Sequence, residues 1–197
     1  AATWCSPKYE NIAWLAPHLD QYLLRRGVPE ILVNFEGPIG AGVPKEVRDA
    51  QALVDAFGAL ARVTATESPW CLMHGDCHVG NVFLDSEGRP SFTDWQMIQR
   101  GPWYLDVGYH IGSALDPAER RANEDDLLRV YLQELSASGV EAPSFGAAKE
   151  LIRRGYLEGL YLWAITLKVD PPITTRLLNR LGAAVADHDA YSSVPSL

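Results

Sequence analysis

Apolar residues recur at three- and four-residue spacing along most of this chain, and that period breaks between residues 70 and 94. From about Ser6 to Arg26 the residues Ile12, Leu15, Leu19, Tyr22 and Leu23 predict a helix, with Pro17 as a break or kink and Gly27 as its stop. Ile31 to Phe35 reads as a short strand, and the glycine-rich stretch from Gly37 to Gly42 as a loop. A second helix is expected from about Pro44 to Val63, burying Val47, Ala50, Leu53, Val54, Phe57 and Leu60.

The period then shortens. Trp70 to Met73, Val82 to Leu84 and Ser91 to Thr93 are brief apolar segments, the last two joined by the turn residues Asp85 to Pro90. They predict a small β-hairpin fed by a short strand. Beyond Gly101-Pro102 everything reads as helix, with Asp116-Pro117 as N-cap and first residue of one helix and Ser144 capping another. The last two helices are expected at Phe145 to Lys168 and Ile173 to His188, separated by Pro171-Pro172. The pattern predicts an α+β fold, mostly helical, in a single domain over residues 1–197.

Composition narrows the partners. With 47% hydrophobic and 21% charged residues the chain is an ordinary globular sequence rather than a disordered one. A net charge of -8 repels polyanions, so no nucleic acid partner is expected. The close basic pairs Arg25-Arg26, Arg120-Arg121 and Arg153-Arg154 fit the exposed sides of amphipathic helices. Glu158, Asp170 and the run Glu124-Asp125-Asp126 are likewise expected to face solvent, and Tyr156, Tyr161 and Trp163 to pack a core. Three irregularly spaced cysteines, Cys5, Cys71 and Cys77, point to a reducing compartment. No apolar stretch is long enough to cross a bilayer and no secretory leader opens the sequence, so a cytoplasmic location without membrane partners is expected.

The candidate chemistry lies where the period breaks. Polar residues crowd from His74 to Asn81, and Asp94 follows an apolar strand, although unpaired carboxylates are costly beside apolar strands. Asp76 and Asn81 as turn residues and Asp94 as a strand cap is the plain alternative. Yet a loop carrying a carboxylate and, five residues on, an amide oxygen, followed by a second carboxylate, supplies three groups that can converge. Hard ions such as Mg²⁺ take oxygen ligands of this kind, and phosphoryl transfer needs both a carboxylate base and metal-held oxygens.

The run His74-Gly75-Asp76-Cys77-His78-Val79-Gly80-Asn81 resembles the catalytic loop of the aminoglycoside phosphotransferase and choline kinase superfamily, and Thr93-Asp94-Trp95-Gln96 its metal-binding motif. Gly101 to Val107 is similar to the Gly-Pro-x-x-x-Asp-Leu segment that follows in these enzymes. The resemblance implies the carboxyl-terminal lobe of a protein-kinase-like fold and an ATP-dependent transfer of phosphate to a small-molecule alcohol. By it, Asp76 would be the catalytic base, Asn81 and Asp94 the Mg²⁺ ligands, and Asp106 a brace for the loop. His74 and His78 would be supporting residues. Cys77, Val79 and Gln96 depart from the common leucine, proline and glutamate, and the Asp-Trp-Gln wording looks closer to the ecdysteroid-kinase-like branch.

Two features stand apart from that resemblance. No glycine-rich loop with a strand lysine precedes His74, so the amino-terminal nucleotide-binding lobe is expected to be missing from this sequence and the chain alone to be inactive or a kinase-like binding module. Gly37 to Lys45 lacks the Lys-Ser/Thr ending of a phosphate-binding loop, and Pro38 and Pro44 remove amide donors. Cys71, His74, Cys77 and His78 also form a cluster that offers the thiolate and imidazole ligands of a structural zinc.

Overall fold

The computed structural model describes residues 12–67 and 69–195; the expected helical residues from Ser6 to Asn11, and Cys5, lie outside the described residues. Where the first long helix was expected, Ala13–Leu15 forms a 3₁₀ turn, Pro17 interrupts, and α1 covers Asp20–Arg25. The next segment corrects the sequence reading. Ile31 to Phe35 is helical, within α2, Val28–Glu36. Pro29 in its first turn suits a helix start, Glu30 accepts a hydrogen bond from the Gly27 N–H at 2.9 Å, and Ile31, Asn34 and Phe35 are buried at helical spacing.

The helix α3, Ala50–Thr64, starts where the Asp49 side chain accepts from the Ala52 N–H. The expected entry from Pro44 is instead a 3₁₀ turn at Lys45–Val47. Among the described residues four short strands make two antiparallel pairs. In one, β2 (Val82–Leu84) faces β3 (Pro90–Phe92) as the expected hairpin. In the other, β1 (Cys71–Met73) pairs with β4 (Gln99–Gly101), a strand the sequence reading did not foresee, in the register Cys71 with Gly101. This second pair closes the chain around the hairpin, so the His74 loop, from β1 to β2, and the Asp94 segment, from β3 to β4, both run between the two pairs.

Four longer helices follow: α4 (Tyr104–Ala114), α5 (Pro117–Ala137), α6 (Phe145–Ala164) and α7 (Pro171–Asp187). Asp116 and Ser144 are the N-caps of α5 and α6 as expected, but α6 stops at Ala164 and Pro171-Pro172 open α7 instead of separating two helices. Asn34 donates to the carbonyls of Ala164 and Thr166, satisfying the end of α6 from across the fold. From Gly155 to Ile165 the chain is buried on all sides, which makes α6 the central helix of the core.

Glycines set how closely α4 and α6 pack. A β-carbon at Gly108 would lie 2.3 Å from the Ile152 carbonyl oxygen, and one at Gly155 2.6 Å from that of Leu105. The backbones therefore nearly touch, and just beyond the crossing Trp163 of α6 donates to the Tyr109 hydroxyl of α4. Charged residues also sit where solvent was expected. Arg120 is wholly buried and bonded to Glu124 and Asp187, with His188 Nε2 2.8 Å from Glu124. Glu124 is itself buried, so this network ties α5 to α7. No helix among the described residues is long and apolar enough to cross a membrane.

Candidate active site

The segment from His74 to Asn81 links β1 to β2, and it is held from beneath by one side chain. Asp106, in the first turn of α4, accepts the His74 N–H at 2.7 Å with Oδ2 and the Gly75 N–H at 3.0 Å with Oδ1. The Cys77 thiol lies beside the same carboxylate. Burial pushes the Asp106 carboxyl above its usual range against the pull of these donors, and it pushes the Cys77 thiol up as well. Gly75 has a φ of 80°, and a β-carbon there would lie 2.3 Å from the Met97 carbonyl oxygen, so the turn requires glycine.

His74 is buried, and both ring nitrogens are used: Nε2 faces the Thr93 carbonyl at 2.8 Å and Nδ1 accepts the Asp76 N–H at 3.2 Å. Nε2 therefore carries the proton. The ring joins the loop to the end of β3, and it packs 4.6 Å from the Trp95 ring. The Thr93 N–H donates to the Asn81 carbonyl at 2.9 Å, so the backbones of the two motifs are bonded directly.

The side chain of Asp76 is addressed from three directions. Tyr109 of α4 donates to Oδ1 at 3.1 Å, Asn81 Nδ2 approaches Oδ2 at 3.3 Å, and His78 Nε2 lies 3.8 Å from Oδ2. Asn81 also donates to the Asp76 carbonyl at 2.9 Å, which leaves its amide oxygen as the group free for a cation. His78 accepts the Gly80 N–H through Nδ1, and burial lowers its pKa while Asp76 opposes that shift. Behind the loop, His110 Nδ1 lies 2.7 Å from the Cys77 carbonyl.

Asp94 is held differently. It is exposed, sits in the left-handed region at φ 59°, and among the described residues its carboxylate takes one hydrogen bond, from Gln96 Nε2 at 3.3 Å. It opens into a cleft of about 420 Å³ shared with Asp76 and His78. The rest of the lining mixes the apolar side chains of Met97, Leu162, Trp163, Ile165 and Val169 with Tyr22, Gln96 and Thr166, and Arg26 brings one cation to it. Asn81 is buried behind this lining, and His74 and Asp106 lie beneath the loop.

Of the residues singled out in the sequence, Asp76, His78 and Asp94 thus meet in one cleft, with Asn81, His74 and Asp106 supporting them. Cys71, His74, Cys77 and His78 do not form a metal centre: no group of three or more His, Cys, Asp or Glu among the described residues stands close enough to hold an ion. Cys71 donates instead to the Gly101 carbonyl across the β1–β4 pair, and Cys77 is buried beside Asp106. The zinc reading falls for that reason.

Sequence reasoning missed Tyr109 and His110, and it assigned Trp163 and Glu158 to core and solvent. Spacing could have found the first two, because Asp106, Tyr109 and His110 are three and four residues apart on one helix face. Glu158 is buried beside Asp106 and Asp76, its Oε1 has no hydrogen-bond partner, and burial holds its carboxyl well above the usual range.

The sequence profile described as the phosphotransferase enzyme family matches residues 14–144, from the first turn to the N-cap of α6. No curated protein gives a significant match to the chain.

Proposed function

The chain belongs to the phosphotransferase enzyme family, and from that premise we propose that it transfers the terminal phosphoryl group of ATP, or another nucleoside triphosphate, to a hydroxyl of a small molecule. The observation that carries this reading is the meeting of Asp76 and Asp94, from two separate motifs, in one cleft beside His78.

In this mechanism Asp76 accepts a hydrogen bond from the acceptor hydroxyl and takes its proton as the oxygen attacks the terminal phosphorus. The bond from that phosphorus to the bridging oxygen breaks, and the nucleoside diphosphate leaves. A positioned base of this kind contributes roughly 10²- to 10⁴-fold. Asp106, His74 and Tyr109 keep the loop and the carboxylate in one geometry, so little reorganisation is needed at the moment of transfer.

Asn81 and Asp94 would hold Mg²⁺, which when bound neutralises charge on the moving phosphoryl group. The donor set fits such an ion: one exposed carboxylate and one amide oxygen are hard ligands. The glycine-rich loop and strand lysine of kinase-like enzymes would come from an amino-terminal lobe, with this chain as the catalytic and acceptor-binding lobe, at work in the cytoplasm.

The cleft also narrows the acceptor. Its two carboxylates are both engaged in the proposed chemistry, its remaining formal charge is the Arg26 cation, and Met97, Leu162, Ile165 and Val169 line it beside the uncharged Gln96 and Thr166. An alcohol with an apolar body fits this lining better than a polycation does.

The test is Mg²⁺-dependent nucleotide binding and phosphate transfer by the complete polypeptide, measured beside an Asp94→Ala variant across polycationic and apolar alcohols. Transfer that requires Asp94 and favours apolar acceptors supports the reading. No nucleotide binding with Mg²⁺ would overturn it in favour of a binding module.

A further inference from the structure

Asp76 is joined to the core by a chain of two aromatic side chains from different helices. The Trp163 Nε1–H of α6 donates to the Tyr109 hydroxyl at 2.7 Å, and that hydroxyl donates to Asp76 Oδ1 at 3.1 Å. Tyr109 is 1% exposed and Trp163 5% exposed. The Tyr109 ring packs against Gly159 of α6, where a β-carbon would lie 2.6 Å from it, so the close approach of the two helices holds the ring in place.

The direction of this chain follows from chemistry. An indole nitrogen only donates, so Trp163 occupies an acceptor position on the Tyr109 oxygen and leaves the phenol proton to be given elsewhere. Asp76 is where it goes. The two carboxylate oxygens thereby become inequivalent: Oδ1 accepts from the phenol, while Oδ2 faces His78 and Asn81. A carboxylate free to rotate about its Cβ–Cγ bond would offer either oxygen in many orientations, and misaiming a reacting group by a fraction of an ångström is costly in rate.

We infer that Tyr109 and Trp163 are positioning residues for phosphoryl transfer, which aim one oxygen of Asp76 at the acceptor hydroxyl. This rests on the reading of Asp76 as the base. Neither residue is reached by the local motif of the loop, and Trp163 lies beyond the segment matched by the family profile.

A double-mutant cycle separates positioning through Asp76 from a general structural role. Mg²⁺-dependent release of labelled phosphate from ATP, with water as acceptor, would be measured for the complete polypeptide carrying Tyr109→Phe, Asp76→Asn or both. Nucleotide affinity would be measured alongside. Tyr109→Phe should lower kcat roughly 10-fold with nucleotide KM unchanged, and cost less than about 2-fold once Asp76 is already Asn. Trp163→Phe keeps the phenol and should give a smaller loss of the same kind, which serves if Tyr109→Phe does not fold. An equal loss in both backgrounds, or no loss at all, overturns the positioning role while leaving the phosphotransferase reading intact. If the wild type releases no phosphate, or Asp76→Asn releases it as the wild type does, the base assignment fails and the inference falls with it.

Discussion

The two halves of the candidate site are built on opposite principles. Asp76 stands on a loop whose backbone is gripped by the buried Asp106, whose neighbours His74 and His110 are bonded to carbonyls, and whose carboxylate is met by Tyr109 and Asn81. Asp94 leaves a two-stranded hairpin into solvent, with Gln96 as its hydrogen-bond donor. The difference matches the proposed tasks. A base must be aimed before the acceptor arrives, so its cost is met during folding. A carboxylate that helps hold an ion gains its geometry from the ion and its phosphate ligands, so it tolerates a lightly held, exposed position.

The contrast can be broken at several points. The largest effect is expected at Asp94. Asp94→Ala should lower Mg²⁺-dependent phosphate release by about 10²-fold or more, yet cost stability only about 1 kcal/mol, the strain of alanine in the left-handed region, because the side chain is exposed. Asp106→Ala should act on stability as well: two buried N–H groups lose their acceptor, which costs roughly 3 kcal/mol in urea unfolding. A loss below about 1 kcal/mol would mean the loop is held by something other than this carboxylate.

Glu158 sharpens the comparison on the buried side. Its folded-state pKa is raised by burial and by the nearby carboxylates Asp106 and Asp76, whereas the unfolded chain releases that proton in the ordinary carboxylate range. Its contribution to stability is therefore complete at acid pH and is lost as pH rises toward the folded pKa. Glu158→Gln cannot ionise, so thermal melts between about pH 5 and pH 8 should show a flatter profile than the wild type. An unchanged slope would show that Glu158 keeps one protonation state on unfolding. The smallest effect belongs to the hairpin: Arg89 pairs with Asp85 and Glu87 at the surface, and Arg89→Ala should not move the melting temperature measurably.

Much of this site was legible along the chain because its parts are local. The spacing from His74 to Asn81, the Asp94 motif and the Asp116 and Ser144 caps are each written within a few residues. The reading failed where a short signal had two solutions. Ile31 to Phe35 is apolar enough for a strand, but Pro29, Glu30 and the burial of Asn34 against the end of α6 make it helix. Arg120 and Glu124 looked like solvent-facing charges, since a sequence does not display the Asp187 and His188 that pair with them.

The sequence alone determined the small hairpin among helices, the candidate base, the candidate metal ligands and the family, because each depends on neighbours within one turn or one loop. Only the tertiary structure decided that Tyr109 reaches Asp76 across 33 residues, that Trp163 reaches Tyr109 across 54, and that Asp106 holds the loop from beneath. Those contacts arise from the close crossing of α4 and α6, and helix periodicity names the face a residue occupies without naming what lies opposite it.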